Sequence, residues 1–170
     1  MPGRLRRCGG GFAETRCDVL GAERLTHWSL PVRNLAESEA FFGDFLGFEY
    51  LGHLGGPSAT VPHASVFRVG ESSFILWETG LDADPRLAGV GVHYGFTVLP
   101  EVWDRAIIAI HEAGVKLTGP IVYRSKGTFL GREVYMVDPS GNTIELTDPT
   151  WVEGMSEPTF EEIVGTAVTA

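Results

Sequence analysis

One pattern constrains this chain more than any other, because it occurs twice. The first copy opens Leu25-Thr26-His27-Trp28-Ser29-Leu30-Pro31-Val32 and the second opens Val92-His93-Tyr94-Gly95-Phe96-Thr97-Val98. Both read His, aromatic, small, apolar, any residue, Val. Alternation of this kind marks a strand with one buried face. A helix is predicted after each strand. In the first copy Asn34 is the N-cap with Glu37 three residues on, Leu35, Phe41, Phe42, Phe45 and Leu46 form the apolar side, and Gly47 stops it. In the second, Pro100 starts the helix, Val102, Trp103, Ala106, Ile107 and Ile110 form the stripe, and Gly114 ends it.

Three strand-like segments follow in each copy. The last two match again: Val66–Val69 and Phe74–Trp77 in the first, Val134–Val137 and Thr143–Leu146 in the second, the latter pair joined by the turn Asp138-Pro139-Ser140-Gly141-Asn142. Each copy is therefore β-α-β-β-β. One unit alone leaves a sheet face open, and two units packed together close it into a cleft. The expected fold class is α+β, with two βαβββ modules packed into an open barrel-like sheet around a metal cleft. Module one is expected over 23–80 and module two over 90–149, within one domain spanning 23–149. A loose N-terminal tail is expected over 1–22 and a C-terminal arm over 150–170. In that arm Thr159 and Glu162 have capping-box spacing, and the arm is expected to pack on a partner or to cover the site.

The repeat also places chemistry. His27 and His93 occupy the same position on the first strand of the two copies. Glu145 lies on the last strand of the second copy, where an unpartnered buried carboxylate is costly. Two imidazoles and one carboxylate converging on a point make a metal site with open coordination positions, the ligand set of non-haem Fe(II) oxygenases. The same ligands suit Mn, Ni, Co or Zn. The symmetry mate of Glu145 is read as Leu76, which cannot coordinate. Glu78, two residues on, shares Leu76's face. His53 and His63 flank a Gly/Pro loop near the cleft, and His111 falls on a helix.

Composition narrows the partners. The 170 residues carry a formal net charge of −9 and no basic cluster, so nucleic acid is not an expected partner. No apolar run is long enough to span a bilayer. The basic start Met1–Arg7 is not followed by an apolar stretch, so no secretory signal is read and the expected location is the cytoplasm. Cys8 and Cys17 are read as free thiols, outside any ligand spacing.

With these residues in hand, the chain resembles the vicinal oxygen chelate superfamily, which includes glyoxalase I, fosfomycin-resistance proteins, bleomycin-resistance proteins and type I extradiol dioxygenases. The resemblance covers Leu25 to Asp148 and is strongest from Gly131 to Leu146, with its DPxGNxxEL ending. It implies that His27, His93 and Glu145 fall on the three metal positions. Tyr135, ten residues before Glu145, matches a tyrosine of the extradiol enzymes and is the implied catalytic residue, donating a hydrogen bond to substrate. The pattern departs from those enzymes in two places. Lys126, Gly127 and Thr128 stand where one His is expected, and Ser72 and Ser73 stand near a second, which leaves the proton-transfer group unassigned.

The resemblance implies an Fe(II) extradiol dioxygenase that uses O2 to open a small catechol such as L-DOPA, in a cleft lined by Trp28, Tyr94, Phe96, Trp77 and Phe129. The alternatives are a glyoxalase- or fosfomycin-resistance-type metalloenzyme, with Arg124, Lys126 and Arg132 near an anionic group, or a ligand-sequestering resistance protein. A homodimer is expected, with the metal site either within one chain or exchanged, His27 from one chain meeting His93 and Glu145 of its partner.

Overall fold

The computed structural model describes residues 25–54, 63–89 and 91–168. The reading of residues 1–22 as a loose tail, with Cys8 and Cys17, lies outside the described residues, as does most of the Gly/Pro loop.

Module one runs β1 (His27–Val32), α1 (Leu35–Glu39), β2 (Glu49–Leu54), β3 (Ala64–Val69) and β4 (Ser72–Glu78). A short helix, α2 (Pro85–Gly89), lies in the connection. Module two runs β5 (Tyr94–Thr97), α3 (Trp103–Glu112), β6 (Val122–Arg124), β7 (Gly131–Val137) and β8 (Thr143–Asp148), and α4 (Phe160–Val168) closes the chain. The two sheets have the same order, β1-β4-β3-β2 and β5-β8-β7-β6. In each, the first strand pairs in parallel with the last and the remaining pairs are antiparallel. The architecture is the expected α+β pair of βαβββ modules. The sheets remain two separate four-stranded units and close no barrel.

Local signals account for the helices. Asn34 Oδ1 accepts from Glu37 N–H at 3.0 Å and caps α1. The helix continues as a π-helical turn over Ala40–Phe45 and stops at Gly47, whose φ of 75° suits a residue without a Cβ. Pro100 opens a 3-10 turn that leads into α3. Thr159 and Glu162 form the predicted reciprocal cap before α4: Thr159 N–H donates to Glu162 Oε2 at 2.8 Å, and Glu162 N–H donates to Thr159 Oγ1 at 3.2 Å.

One core runs through both modules. Phe42, Phe67 and Phe74 are fully buried. Trp28 stacks on Phe74 at 5.4 Å, and Phe48 meets Phe96 of module two at 4.8 Å. Burying each such ring contributes roughly 1.5–3 kcal/mol. The Asp138–Asn142 turn clamps the modules together. Ser140 Oγ accepts from Arg33 N–H at 2.9 Å, and Asn142 Nδ2 donates to Pro31 O at 3.1 Å. Asp138 organises that turn by accepting from Ser140 N–H and Asn142 N–H. Its burial nonetheless lifts its carboxyl above the ordinary range. The C-terminal arm packs on α3, not over the cleft: Ile163 is buried and Tyr123 OH donates to Pro158 O at 2.6 Å.

Candidate metal centre

The pleat decides what faces the cleft. On β5 the core takes Tyr94 and Phe96, so Gly95 and Thr97 point the other way, on the side of His93. Gly95 pairs with Glu145, and Glu145 pairs with Tyr135 on the opposite side. The three neighbouring residues share one face of the second sheet. His93, Gly95, Thr97, Arg124, Lys126, Phe129, Glu133, Tyr135, Glu145 and Thr147 line a cleft of about 760 Å³ there.

At its floor, His93 Nε2 lies 2.9 Å from Glu145 Oε2. The other ring nitrogen, Nδ1, lies 2.7 Å from Gly91 O, a carbonyl that can only accept. Nδ1 therefore carries a hydrogen, and the neutral ring has its lone pair on Nε2. That lone pair faces a carboxylate oxygen. Two acceptors facing each other need a cation between them or a proton on one of the two groups. An imidazole oriented by a backbone carbonyl is the usual support of a metal-ligating His. A Cβ at Gly95 would stand 3.2 Å from Glu145 Oε2, so the glycine leaves room for the carboxylate. Burial and the negative charge of Glu133 raise the Glu145 carboxyl above its ordinary range, opposed by His93 and Arg124. A carboxylate oxygen with an imidazole nitrogen aimed at it is a donor pair of the kind that holds a divalent cation.

His27 occupies the equivalent place in module one, exposed at the start of β1, with Nδ1 3.1 Å from Thr26 Oγ1. Among the described residues, no three His, Cys, Asp or Glu side chains come close enough to hold a metal. One chain thus brings together His93 and Glu145 but not His27.

The register corrects the assignment of the symmetry mate. Ser29 pairs with Ile75 as Gly95 pairs with Glu145, so the mate is Ile75, and Leu76 points into the core. Glu78 is on Leu76's face, where Oε1 accepts from Leu35 N–H at 2.9 Å and Oε2 lies 3.5 Å from His63 Nδ1. It braces α1 and is no fourth ligand. His53 pairs with Glu39 at 2.9 Å, and His111 meets Phe160.

The expected aromatic lining is corrected at three positions, while Phe129 does line the cleft. Trp28, Tyr94 and Phe96 alternate with the ligand-face positions, so they pack in the core. Phe129, 79% exposed, and Tyr135 are the aromatic rings of the module-two cleft.

One residue adds what sequence reasoning passed over. Glu133, 1% exposed, accepts from Arg124 Nε at 2.8 and 3.0 Å and from Tyr135 OH at 2.9 Å. The Tyr135 ring stands edge-on to His93, 5.5 Å between centroids. Burial, then the bond to Glu133, pushes the Tyr135 phenol up to about 12. In this arrangement the phenol hydrogen is directed at Glu133. The alternation Glu133, Tyr135 at spacing two was the available signal.

The family model for the Glyoxalase/Bleomycin resistance protein/Dioxygenase superfamily matches residues 24–146. The chain belongs to this superfamily. No curated protein matches it. Among solved structures, this member of the superfamily is similar to FosX, a genomically encoded fosfomycin resistance protein from Listeria monocytogenes, in a mutant complexed with Mn(II) and 1S,2S-dihydroxypropylphosphonic acid. The identity is 21%, with 76% of this chain and 94% of that chain covered and a TM-score of 0.61. A glyoxalase/dioxygenase from Nostoc punctiforme is 22% identical over 82% of this chain and 99% of that chain, with a TM-score of 0.62. The FosX of Mesorhizobium loti is 17% identical over 76% and 94%, with a TM-score of 0.57. These likenesses establish the superfamily fold. Among the described residues, no helix is long and apolar enough to cross a membrane.

Proposed function

We propose that the chain is a divalent-metal enzyme acting on a small substrate that presents two adjacent oxygens, working as a homodimer with an exchanged site. His93 and Glu145 of one chain and the partner's His27 would hold the metal. The observation that carries this reading is the 2.9 Å approach of His93 Nε2 to Glu145 Oε2 with Nδ1 already committed to Gly91 O. His27 supports the exchange: it is exposed on an equivalent strand, and its own chain supplies no third ligand among the described residues.

A bound divalent ion supplies Lewis acidity and a template for two vicinal oxygens and, as Fe(II), a binding place for O2. The chain's own groups shape the rest. Lys126 gives the cleft a cationic edge beside the Arg124–Glu133 ion pair, which suits a substrate with a carboxylate or another anionic group. Phe129 offers an exposed ring to a flat or apolar substrate part.

Within this frame the first reading is Fe(II)-dependent extradiol cleavage of a small catechol bearing an anionic side chain, such as L-DOPA, supported by the two-His, one-carboxylate ligand set that suits Fe(II). The second is a fosfomycin-resistance-type reaction on a small phosphonate, supported by the cationic edge and by the Mn(II)-diol complex of the FosX neighbour. Metal analysis, then anaerobic loading with Fe(II) or Mn(II), tests both. Oxygen uptake with a catechol panel and a new yellow product establishes the first. Loss of fosfomycin with Mn(II), and no uptake, establishes the second. Ligand retention by metal-free protein, with no turnover, would show a sequestering protein and overturn the enzyme reading.

A further inference from the structure

Resting on the metal-chelate reading above, we infer that Glu133 is a positioning residue that makes Tyr135 a hydrogen-bond acceptor toward the cleft, so that the site selects substrates carrying a hydroxyl or ammonium donor beside their chelating oxygens. The argument starts from hydrogen counts. A phenol has one hydrogen and two lone pairs. The single hydrogen of Tyr135 goes to Glu133 Oε2 at 2.9 Å. Glu133 cannot release it cheaply. The carboxylate is 1% exposed, so it needs every donor available to it, and it has Arg124 Nε at 2.8 and 3.0 Å and the Tyr135 hydroxyl. What Tyr135 has left to offer is a lone pair.

Strand geometry fixes this arrangement. Glu133 and Tyr135 are two apart on β7 and so share a face, and β6 brings Arg124 beside them. Tyr135 in turn pairs with Glu145 and stands edge-on to His93. A substrate chelated at those ligands therefore meets, on its Tyr135 side, an oxygen that only accepts. A donor group there is satisfied, while an ether or carbonyl oxygen faces a second lone pair and is left unpaired. A site that hydrogen-bonds a substrate donor discriminates strongly against the analogue lacking it.

The substitution Glu133→Gln inverts the polarity without changing shape. Arg124 has only donors, so it takes the amide oxygen, and the amide NH2 turns to Tyr135. The phenol hydrogen is then free for the cleft.

Two measurements on the full-length dimer test this. Raman difference spectra of wild type minus Tyr135→Phe isolate the phenol's Fermi doublet, whose intensity ratio separates a strong donor from an acceptor. The expected result is a donor signature in wild type that is lost in Glu133→Gln. A wild-type Tyr135 without the donor signature, or one unchanged by Glu133→Gln, overturns the assignment. In the second, the Mn(II)-loaded proteins bind pyrogallol and 3-methoxycatechol, which differ only in one O–H against O–CH3. Wild type is expected to prefer pyrogallol at least tenfold in Kd, and Glu133→Gln to reduce that ratio by about tenfold or reverse it, both measured at saturating Mn(II). An equal ratio in both proteins overturns the selectivity. Binding of neither probe, with the Raman donor signature intact, contradicts the chelate reading and with it the selectivity, and leaves only the Glu133–Tyr135 bond standing.

Discussion

His93 Nε2 and Glu145 Oε2 stand 2.9 Å apart, while the other nitrogen of the same ring, Nδ1, is held by Gly91 O at 2.7 Å. The pair is the half of the proposed metal site that one chain supplies. Glu145→Gln keeps the shape and removes the charge. Metal affinity is expected to fall by at least ~100-fold, since even outer partners of metal ligands are worth 10–100-fold. The metal-free fold is expected to keep its melting temperature or gain slightly, because burial and Glu133 already disfavour the carboxylate. Metal analysis after dialysis and thermal melts in chelator check both. Undiminished metal content would contradict the assignment.

Gly95 faces the same carboxylate. A Cβ there would sit 3.2 Å from Glu145 Oε2 and 3.7 Å from Cδ, tight contacts with the end of a side chain that can shift. Gly95→Ala is therefore expected to weaken metal binding by roughly tenfold while costing under ~1.5 kcal/mol of stability, the range of a tolerated packing change. A metal titration beside a denaturant melt separates the two effects.

Asp148 ties β7 to the end of β8. Burial raises its carboxyl, but donation from Thr150 N–H and Oγ1 and from Arg132 Nε outweighs this and holds it below the ordinary range. A lowered folded value means stability that is present above the unfolded carboxylate range and is lost as pH falls through the folded value. Asp148→Asn is expected to cost about 1–3 kcal/mol at neutral pH, the worth of hydrogen bonds to a charged group. The gap to wild type should close in acid below both values. Urea midpoints at neutral and acid pH check this, and a gap constant with pH would contradict it.

Much of this was legible in the sequence because local chemistry and global fold agree. The Asn34 cap, the Thr159–Glu162 box and the stops at Gly47 and Gly114 read directly, since each satisfies backbone groups within one turn. The matched positions of His27 and His93 followed from the repeat. The aromatic lining did not, since flanking a ligand in sequence puts Trp28 and Tyr94 on the opposite face of a pleated strand. Ile75 was missed for the same reason, because a one-residue slip exchanges faces. Glu133 was hidden because an acidic residue in an alternating strand reads as solvent-facing, and only the approach of Arg124 from β6 shows what it holds. The separation of His27 from the other two ligands was not legible, because a repeat pattern does not say which chain supplies each copy.

The shared centre is the central claim, and subunit complementation tests it most directly. His27→Ala and Glu145→Ala each remove one ligand, and each homodimer is expected to bind no metal tightly. Co-expressed with different tags and purified through both, the mixed dimer has one site with both ligands lost and one with all three intact. The account predicts about half the wild-type metal content in that mixed dimer, one ion per dimer at wild-type affinity. A mixed dimer as empty as its parents would place all three ligands within one chain, or no metal there at all, and would contradict the account.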